Sequence, residues 1–160
     1  MDALTLIHVA LSLIGIGTGF IVLGGMLTRR PLDGWTAIFL VTTVLTSGTG
    51  FLFPFEKLLP SHVLGIISLV VLAAAIFARY HRGLAGAWRP VFVITALVAQ
   101  YLNVFVLIVQ AFLKLPALHD LAPTQSEPPF LFAQLANLIL FVVLTALALI
   151  RFREPAPPRN

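Results

Sequence analysis

Five stretches of the chain contain no Asp, Glu, Lys or Arg and are long enough to cross a lipid bilayer. They are Ala3–Met26, Gly34–Phe55, Leu58–Ala78, Pro90–Leu113 and Pro128–Ile150. A membrane-spanning helix needs about 20 mostly apolar residues, because the hydrocarbon core is about 30 Å thick. The pattern predicts an all-α integral membrane protein, with five transmembrane helices forming a single bundle domain over residues 1–153.

The segments that connect these spans are short, with one exception. The connection at Glu56–Lys57 is so tight that the second and third spans should be antiparallel neighbours. Residues 114–127, KLPALHDLAPTQSE, form the long connection, which is either an ordered lid over one end of the bundle or a mobile linker. Residues 154–160, EPAPPRN, are polar and rich in proline, which predicts a disordered tail.

Basic residues are distributed unequally between the two sides of the predicted spans. One side carries eight arginines, namely Arg29, Arg30, Arg79, Arg82, Arg89, Arg151, Arg153 and Arg159, while the other carries only Lys57 and Lys114. Because loops rich in Lys and Arg stay in the cytoplasm, the N-terminus is expected outside and the C-terminus inside. The sequence thus predicts a multi-pass protein of the cell inner membrane, surrounded by the lipid bilayer.

Composition agrees with a membrane protein. The chain is 59% hydrophobic and only 10% charged, which leaves too little polar surface to cover a soluble globule. The net charge of +4 comes from arginines that flank spans, so topology explains it and no nucleic-acid partner is expected. Cysteine is absent, which excludes disulfides and thiolate metal sites.

Polar residues within the spans recur at helical spacing, so each predicted helix has one polar face. Such a face costs free energy against lipid and should turn inward. The five faces contain His8, Ser12, Gly15 and Gly19; Thr42, Thr46 and Gly50; His62 and Gly65; Ala96, Gln100, Asn103, Leu107 and Gln110; and Gln134 and Asn137. They predict a polar seam through the centre of the bundle.

Two histidines in this seam are candidate metal or haem ligands. At about 1.5 Å of rise per residue, His8 and His62 lie at matching depth in the outer third of the membrane. Opposed imidazoles could bind a b-type haem iron axially, with Gly15 and Gly65 admitting the edge of the macrocycle. Adding His119 from the long outer segment would give a three-histidine site for zinc, copper or non-haem iron.

A quinone is the other candidate ligand. Donors for its carbonyl oxygens are available from the two histidines, Tyr101, Asn103, Gln110, Gln134 and Asn137. Its ring would need an apolar slot, which the many phenylalanines could line. The structural alternative is that these amides simply join neighbouring helices by hydrogen bonds.

Three segments of the chain resemble small uncharacterised bacterial inner-membrane proteins. They are HVALSLIGIGTGF, GFLFPFEKLLPSHVLGIISLVVLA and YLNVFVLIVQAFLKLPALHDLAPTQSEPPF. More distantly, the histidines are similar to those of b-type cytochrome membrane subunits. Because one pair of span histidines is present, this resemblance implies one haem at most.

The spans contain no charged residue, which argues against a proton relay, an ion-selective ring or a voltage sensor. The first functional hypothesis is a non-catalytic accessory or assembly subunit that contacts other membrane subunits or a second copy of itself. The second is a redox subunit that binds one b-type haem or a quinone near the outer face. A small-solute transporter is the third.

Overall fold

The computed structural model describes residues 3–53 and 60–153, and all regular structure in these ranges is helical. The long helices are α1 (Ala3–Leu27), α2 (Asp33–Gly50), α3 (Pro60–Ile76), α4 (Trp88–Lys114) and α6 (Pro128–Arg151). A π-helical turn, Phe77–His81, extends α3, and a single turn, α5 (Pro116–His119), follows α4. The predicted all-α class is confirmed.

Recognisable local motifs mark the end of α1 and the start of α6. Helix α1 closes with Arg29 in the left-handed region (φ 61°), and the Arg30 N–H donates to the Gly25 carbonyl at 2.8 Å. This hydrogen bond closes a turn of six residues, which is characteristic of the Schellman motif. Leu32 packs against Gly25 beside it. Helix α6 begins with proline in its first turn, where a missing N–H costs nothing.

Four of the long helices form a ring, and the fifth packs on its outside. In the ring, α1 and α3 each contact both α2 and α4, whereas α1 and α3 have no Cα atoms within 8 Å of each other. Helix α6 packs against α4 and α1. The main hydrophobic core lies where the ring helices meet α6 and contains Val22, Leu23, Met26, Phe39, Leu40, Leu72, Ala75, Ala78, Phe92, Val93, Ala96, Leu97, Ala99, Ala148 and Phe152.

Successive long helices run in opposite directions. At one end of the bundle, Arg79 after α3 forms an ion pair with Asp33 at the start of α2. At the other end, His8 near the start of α1 bonds Thr49 near the end of α2. We call these the arginine end and the histidine end. The arginine end contains all the arginines in the described ranges: Arg29, Arg30, Arg79, Arg82, Arg89, Arg151 and Arg153.

The long segment after α4 folds back onto the histidine end. Ala122 is fully buried between Phe112 of α4 and Phe130 of α6. The Gln125 side-chain amide donates to the Val109 carbonyl at 2.9 Å. Residues 114–127 therefore match the ordered alternative, and they include the single turn α5, which Pro116 starts.

Within residues 3–53 and 60–153, four helical segments are long and apolar enough to cross a membrane: Ala3–Leu27, His62–His81, Trp88–Lys114 and Pro128–Arg151. Helix α2 is shorter, at 18 residues, and richer in Thr and Ser. It ends at Gly50, whereas the predicted second span continued to Phe55. The cause is visible in the sequence, since Gly48 and Gly50 are poor helix formers and Pro54 disfavours helical backbone before it.

Four sequence predictions fall outside the described residues. They are the end of the second span at Phe55, the tight connection at Glu56–Lys57, the start of the third span at Leu58, and the disordered tail at residues 154–160. Elsewhere the helices extend beyond the predicted spans by short distances. The third continues through the π-helical turn to His81, and the fourth runs from Trp88 to Lys114.

Candidate functional site

His8 lies half-buried against the carboxyl end of α2. Its Nδ1 is 2.9 Å from the Thr49 hydroxyl, and the edge of its ring meets Phe53 at a centroid distance of 5.2 Å. A histidine that ligates a metal through one nitrogen normally bonds a polar neighbour through the other. Thr49 could fill that orienting role for His8.

His62 is buried at the start of α3, with 5% of its surface exposed. Its ring lies 5.7 Å from that of Phe51, which follows α2. Phe51 also covers Gly65, because a methyl group placed there would be 3.1 Å from the phenyl ring. The surface that the haem hypothesis assigned to a macrocycle edge at Gly65 is therefore occupied by Phe51.

Gly15 is likewise covered by the protein itself. A methyl group there would lie 3.2 Å from the Thr43 hydroxyl and 3.3 Å from that of Thr42. Gly15 thus admits the close approach of α2, as expected for a small residue at a helix interface. Haem ligation by His8 and His62 stays a prediction, but neither Gly15 nor Gly65 leaves a slot for it.

A metal site built from three histidines is not formed. Within residues 3–53 and 60–153, no three His, Cys, Asp or Glu side chains lie close enough together to hold a metal ion. His119 in the turn α5 therefore does not join His8 and His62. The physical reason is that the outer segment packs onto α4 and α6, whereas both histidines contact the end of α2.

Gln100 of α4 is the most deeply buried polar side chain of the seam, with no exposed surface. Its Nε2 donates to the Ile16 carbonyl of α1 at 2.8 Å. The amide lies directly over Gly19, where a methyl group would be 2.0 Å from Oε1. The prediction that Gly15 and Gly19 face the bundle is confirmed.

The neighbouring amides also join helices. Asn103 Nδ2 donates to the Thr43 hydroxyl of α2 at 3.2 Å, and Gln134 Nε2 of α6 donates to the Phe105 carbonyl of α4 at 3.2 Å. Between α2 and α3, the Ser47 hydroxyl donates to that of Ser68 at 3.0 Å. Each of these contacts joins two different helices.

Asn137 of α6 differs from these amides. It is 5% exposed, and neither its Nδ2 nor its Oδ1 has a hydrogen-bond partner among the described residues. One turn further along α6, the Phe141 ring lies 6.0 Å from that of Tyr101 on α4. Asn137 therefore offers one buried donor and one buried acceptor beside an aromatic surface.

The predicted polar face of α4 does not extend to its outer end. Leu107 is 40% exposed, and Gln110 is exposed as well. Gln110 therefore does not lie on the buried face with the other amides, which corrects the sequence prediction. The inward face ends near Asn103 because the outer turns of α4 contact α6 and the 114–127 segment on one side only.

A hydrogen-bonded turn precedes α6 at the histidine end. Partial desolvation raises the pKa of the Glu127 carboxyl, but hydrogen bonds lower it by more, so the pKa lies below its ordinary value of 4.5. Oε1 accepts from the Thr124 hydroxyl at 2.8 Å, and Oε2 accepts from the Ser126 N–H at 3.1 Å. The carboxylate also lies at the positive end of the helix dipole of α6.

Sequence reasoning missed the aromatic residues around the histidines. Phe51 and Phe53 were placed inside a continuous second span, whereas they follow α2 and turn towards His62 and His8. The available signal was the series of Gly48, Gly50 and Pro54, which marks the end of a helix. A cleft between Arg89 and Arg153 at the arginine end was also missed, because its residues are far apart in sequence.

A comparison with protein-family models, curated proteins and solved structures finds no match to this chain. The helical fold and its four long apolar segments make the chain a multi-pass helical membrane protein. Its more specific role has to come from the geometry described above.

The contact between Gly19 and Gln100 leads to a stability prediction. Gly19→Ala should overpack this interface, displace the Gln100 amide and destabilise the protein by about 1–3 kcal/mol. Gly17→Ala is the matched control, because a methyl group there meets nothing within 4 Å. Thermal unfolding in detergent measures both variants.

A double variant shows whether the collision with Gln100 causes the loss of stability in Gly19→Ala. Gln100→Ala removes the side chain that collides with residue 19, so adding it to Gly19→Ala should cost less than the two separate effects combined. Equal unfolding temperatures for Gly17→Ala and Gly19→Ala would show that this contact does not hold α1 against α4.

Proposed function

We propose that this protein is an inner-membrane protein with five spans, its N-terminus outside and its C-terminus inside, that serves as a non-catalytic accessory or assembly subunit. The proposed accessory role rests on one observation, namely how the buried polar side chains of the bundle are hydrogen-bonded. The amides of Gln100, Asn103 and Gln134 each donate to a neighbouring helix, whereas the buried Thr18, Thr36 and Thr42 donate to their own helix. The fold is thus a framework held by its own polar groups.

The position of α2 supports five spans. Helix α2 is about 27 Å long at the usual rise per residue, close to the thickness of a hydrocarbon core. It accompanies α1 from the contact of Leu32 with Gly25 to the contact of Thr49 with His8. Its Thr hydroxyls are compatible with lipid surroundings, because Thr36 and Thr42 donate to carbonyls of their own helix.

The arginine end supports the proposed orientation. The arginines of three connecting or terminal segments meet at one end of the bundle, and Lys114 lies at the other. This asymmetry is the one that keeps loops in the cytoplasm. The C-terminal residue of α6, Arg151, is at the arginine end, which is consistent with the proposed cytoplasmic C-terminus.

Helix α6 provides an apolar outer surface that is available to a partner subunit or to lipid. It packs on the outside of the four-helix ring and exposes large apolar side chains around most of its circumference, including Phe132 at 69%, Val142 at 61% and Ile150 at 57%. Lipid covers such a surface equally well, so its apolar character alone does not require a partner. A polar-free helix face of this length is suited to either role.

Asn137 favours a second candidate function, quinone binding. Its unpaired donor could bond a quinone carbonyl, while Tyr101 and Phe141 offer aromatic surface one turn away. A buried water would satisfy the same amide. Haem binding has less support, because protein atoms fill the surfaces beside Gly15 and Gly65.

The topology is tested with reporter fusions. A reporter that is active only outside the cytoplasm should work when fused at Met1 and fail when fused after Asn160. The reporter should be inactive when it is inserted after Arg30 and active when it is inserted after Asp120. If the two terminal fusions were both active or both inactive, an odd number of spans would be contradicted.

The accessory role is tested by the native state and spectrum of the protein. Extracted from its own membranes in mild detergent, the protein should migrate as a complex larger than the purified chain. The purified, dithionite-reduced chain should show no haem α-band, and a quinone analogue should not shift its unfolding temperature.

Other outcomes would replace this proposal by a redox one. An α-band lost in both His8→Ala and His62→Ala would establish haem binding. Stabilisation by a quinone analogue that Asn137→Leu abolishes would establish quinone binding. Ala136→Leu is the control for that variant, because Ala136 is the exposed neighbour of Asn137 on the same helix.

A further inference from the structure

A cleft opens at the arginine end between the first turns of α4 and the last turn of α6. It has a volume of about 340 Å³ and is lined by Gly86, Arg89, Pro90, Val93, Leu149, Phe152 and Arg153. Two cationic side chains thus face a cavity whose other walls are largely apolar. The cleft lies at the arginine end of the bundle, where α4 begins and α6 ends.

Arg89 has no carboxylate partner among the described residues around this cleft. Its guanidinium carbon lies 5.2 Å from the centroid of the Phe152 ring, which fixes the planar group against an aromatic face. Its Nε is buried and has no hydrogen-bond partner among the described residues. A buried donor on a permanent cation is costly unless something accepts its hydrogen bond.

Arg153 supplies the second charge. Its Nε donates to the Leu149 carbonyl at 3.2 Å, which ties the side chain back to the last turn of α6. In the part of the chain that the structure describes, no carboxylate forms an ion pair with Arg89 or Arg153. The two arginines therefore create a local excess of positive charge in a defined space.

A second cleft at the same end shows the opposite arrangement. It is lined by Asp33, Ala37, Arg79, Tyr80, Gly83 and Leu84. There the arginine is neutralised, because Arg79 forms its ion pair with Asp33. The comparison shows that, among the described residues, a carboxylate lies beside Arg79 and none forms an ion pair in the other cleft.

We propose that the cleft between Arg89 and Arg153 binds the phosphate group of a phosphate ester. A phosphate carries the negative charge and the acceptor oxygens that a guanidinium fork bonds best. Basic pockets between membrane helices near the cytoplasmic surface are suited to anionic lipid headgroups. Val93, Leu149 and Phe152 add an apolar wall that an acyl chain can follow, which points to a phospholipid as the source of the phosphate.

This inference goes beyond the accessory role and does not depend on it. It needs only that α4 and α6 lie in a membrane, as their length and apolar composition indicate. If the protein bound haem, the accessory role would be contradicted, but the cleft between Arg89 and Arg153 would be unchanged.

Native mass spectrometry of the full chain in detergent tests the proposal with phosphatidylglycerol as the probe. Arg89→Gln and Arg153→Gln should each weaken binding about fivefold, as expected for loss of one cationic contact at a membrane surface. Arg151→Gln removes the same charge from the exposed neighbouring position outside the cleft and should change binding less than twofold. Arg153→Gln also covers the case in which Arg89→Gln fails to fold, since Arg153 is exposed.

Two further probes separate the sources of the phosphate. Glycerophosphoglycerol, which is the phosphodiester of phosphatidylglycerol without its acyl chains, should bind far more weakly than phosphatidylglycerol if the ligand is a lipid. Equal binding of both, still sensitive to Arg89→Gln, would support a soluble phosphate ester as the ligand. Diacylglycerol lacks the phosphate and should bind without any dependence on Arg89.

Two results would overturn the proposal. One is an equal loss in Arg89→Gln, Arg153→Gln and Arg151→Gln, which would show only general attraction between charges. The other is binding of diacylglycerol as tight as that of phosphatidylglycerol, which would show that the phosphate contributes nothing.

Discussion

The contact of Gln100 with α1 is the constraint on which the rest of the bundle depends. A fully buried amide is costly in a membrane protein unless its polar atoms find partners, since lipid offers none. Here Nε2 bonds the Ile16 carbonyl, whereas Oε1 has no hydrogen-bond partner among the described residues and lies over Gly19. This contact fixes α1 beside α4, which closes the four-helix ring and creates the surface on which α6 packs.

Polar chemistry is divided between the interior and the arginine end. Inside the bundle, Asn103, Gln134 and Ser47 bond groups on neighbouring helices, so hydrogen bonds add specificity to the packing of apolar faces. At the arginine end, charged groups are held against aromatic rings, as for Arg82 over Trp88. The interior accordingly defines the fold, whereas the arginine end offers a charged surface for ligands from the membrane.

The sequence was a good guide to features that follow from helical spacing. The four-residue spacing of Gly15 and Gly19 indicated their common inward face, and the charge-free stretches indicated the long helices. It was a poor guide where the outcome depends on a distant segment. The exposure of Gln110 depends on where α6 and residues 114–127 pack, and the Arg89 cleft depends on Phe152, which follows α6. Such positions need three-dimensional contacts that no local pattern encodes.

The central claim, that buried polar groups hold the helices to one another, is tested most directly by a double-mutant cycle between Asn103 and Thr43. Asn103→Ala and Thr43→Val each remove one side of the 3.2 Å hydrogen bond between α4 and α2. Unfolding of the single and double variants in detergent should reveal a favourable coupling of about 0.5–1.5 kcal/mol. Strictly additive effects, with no coupling between the two positions, would contradict the claim.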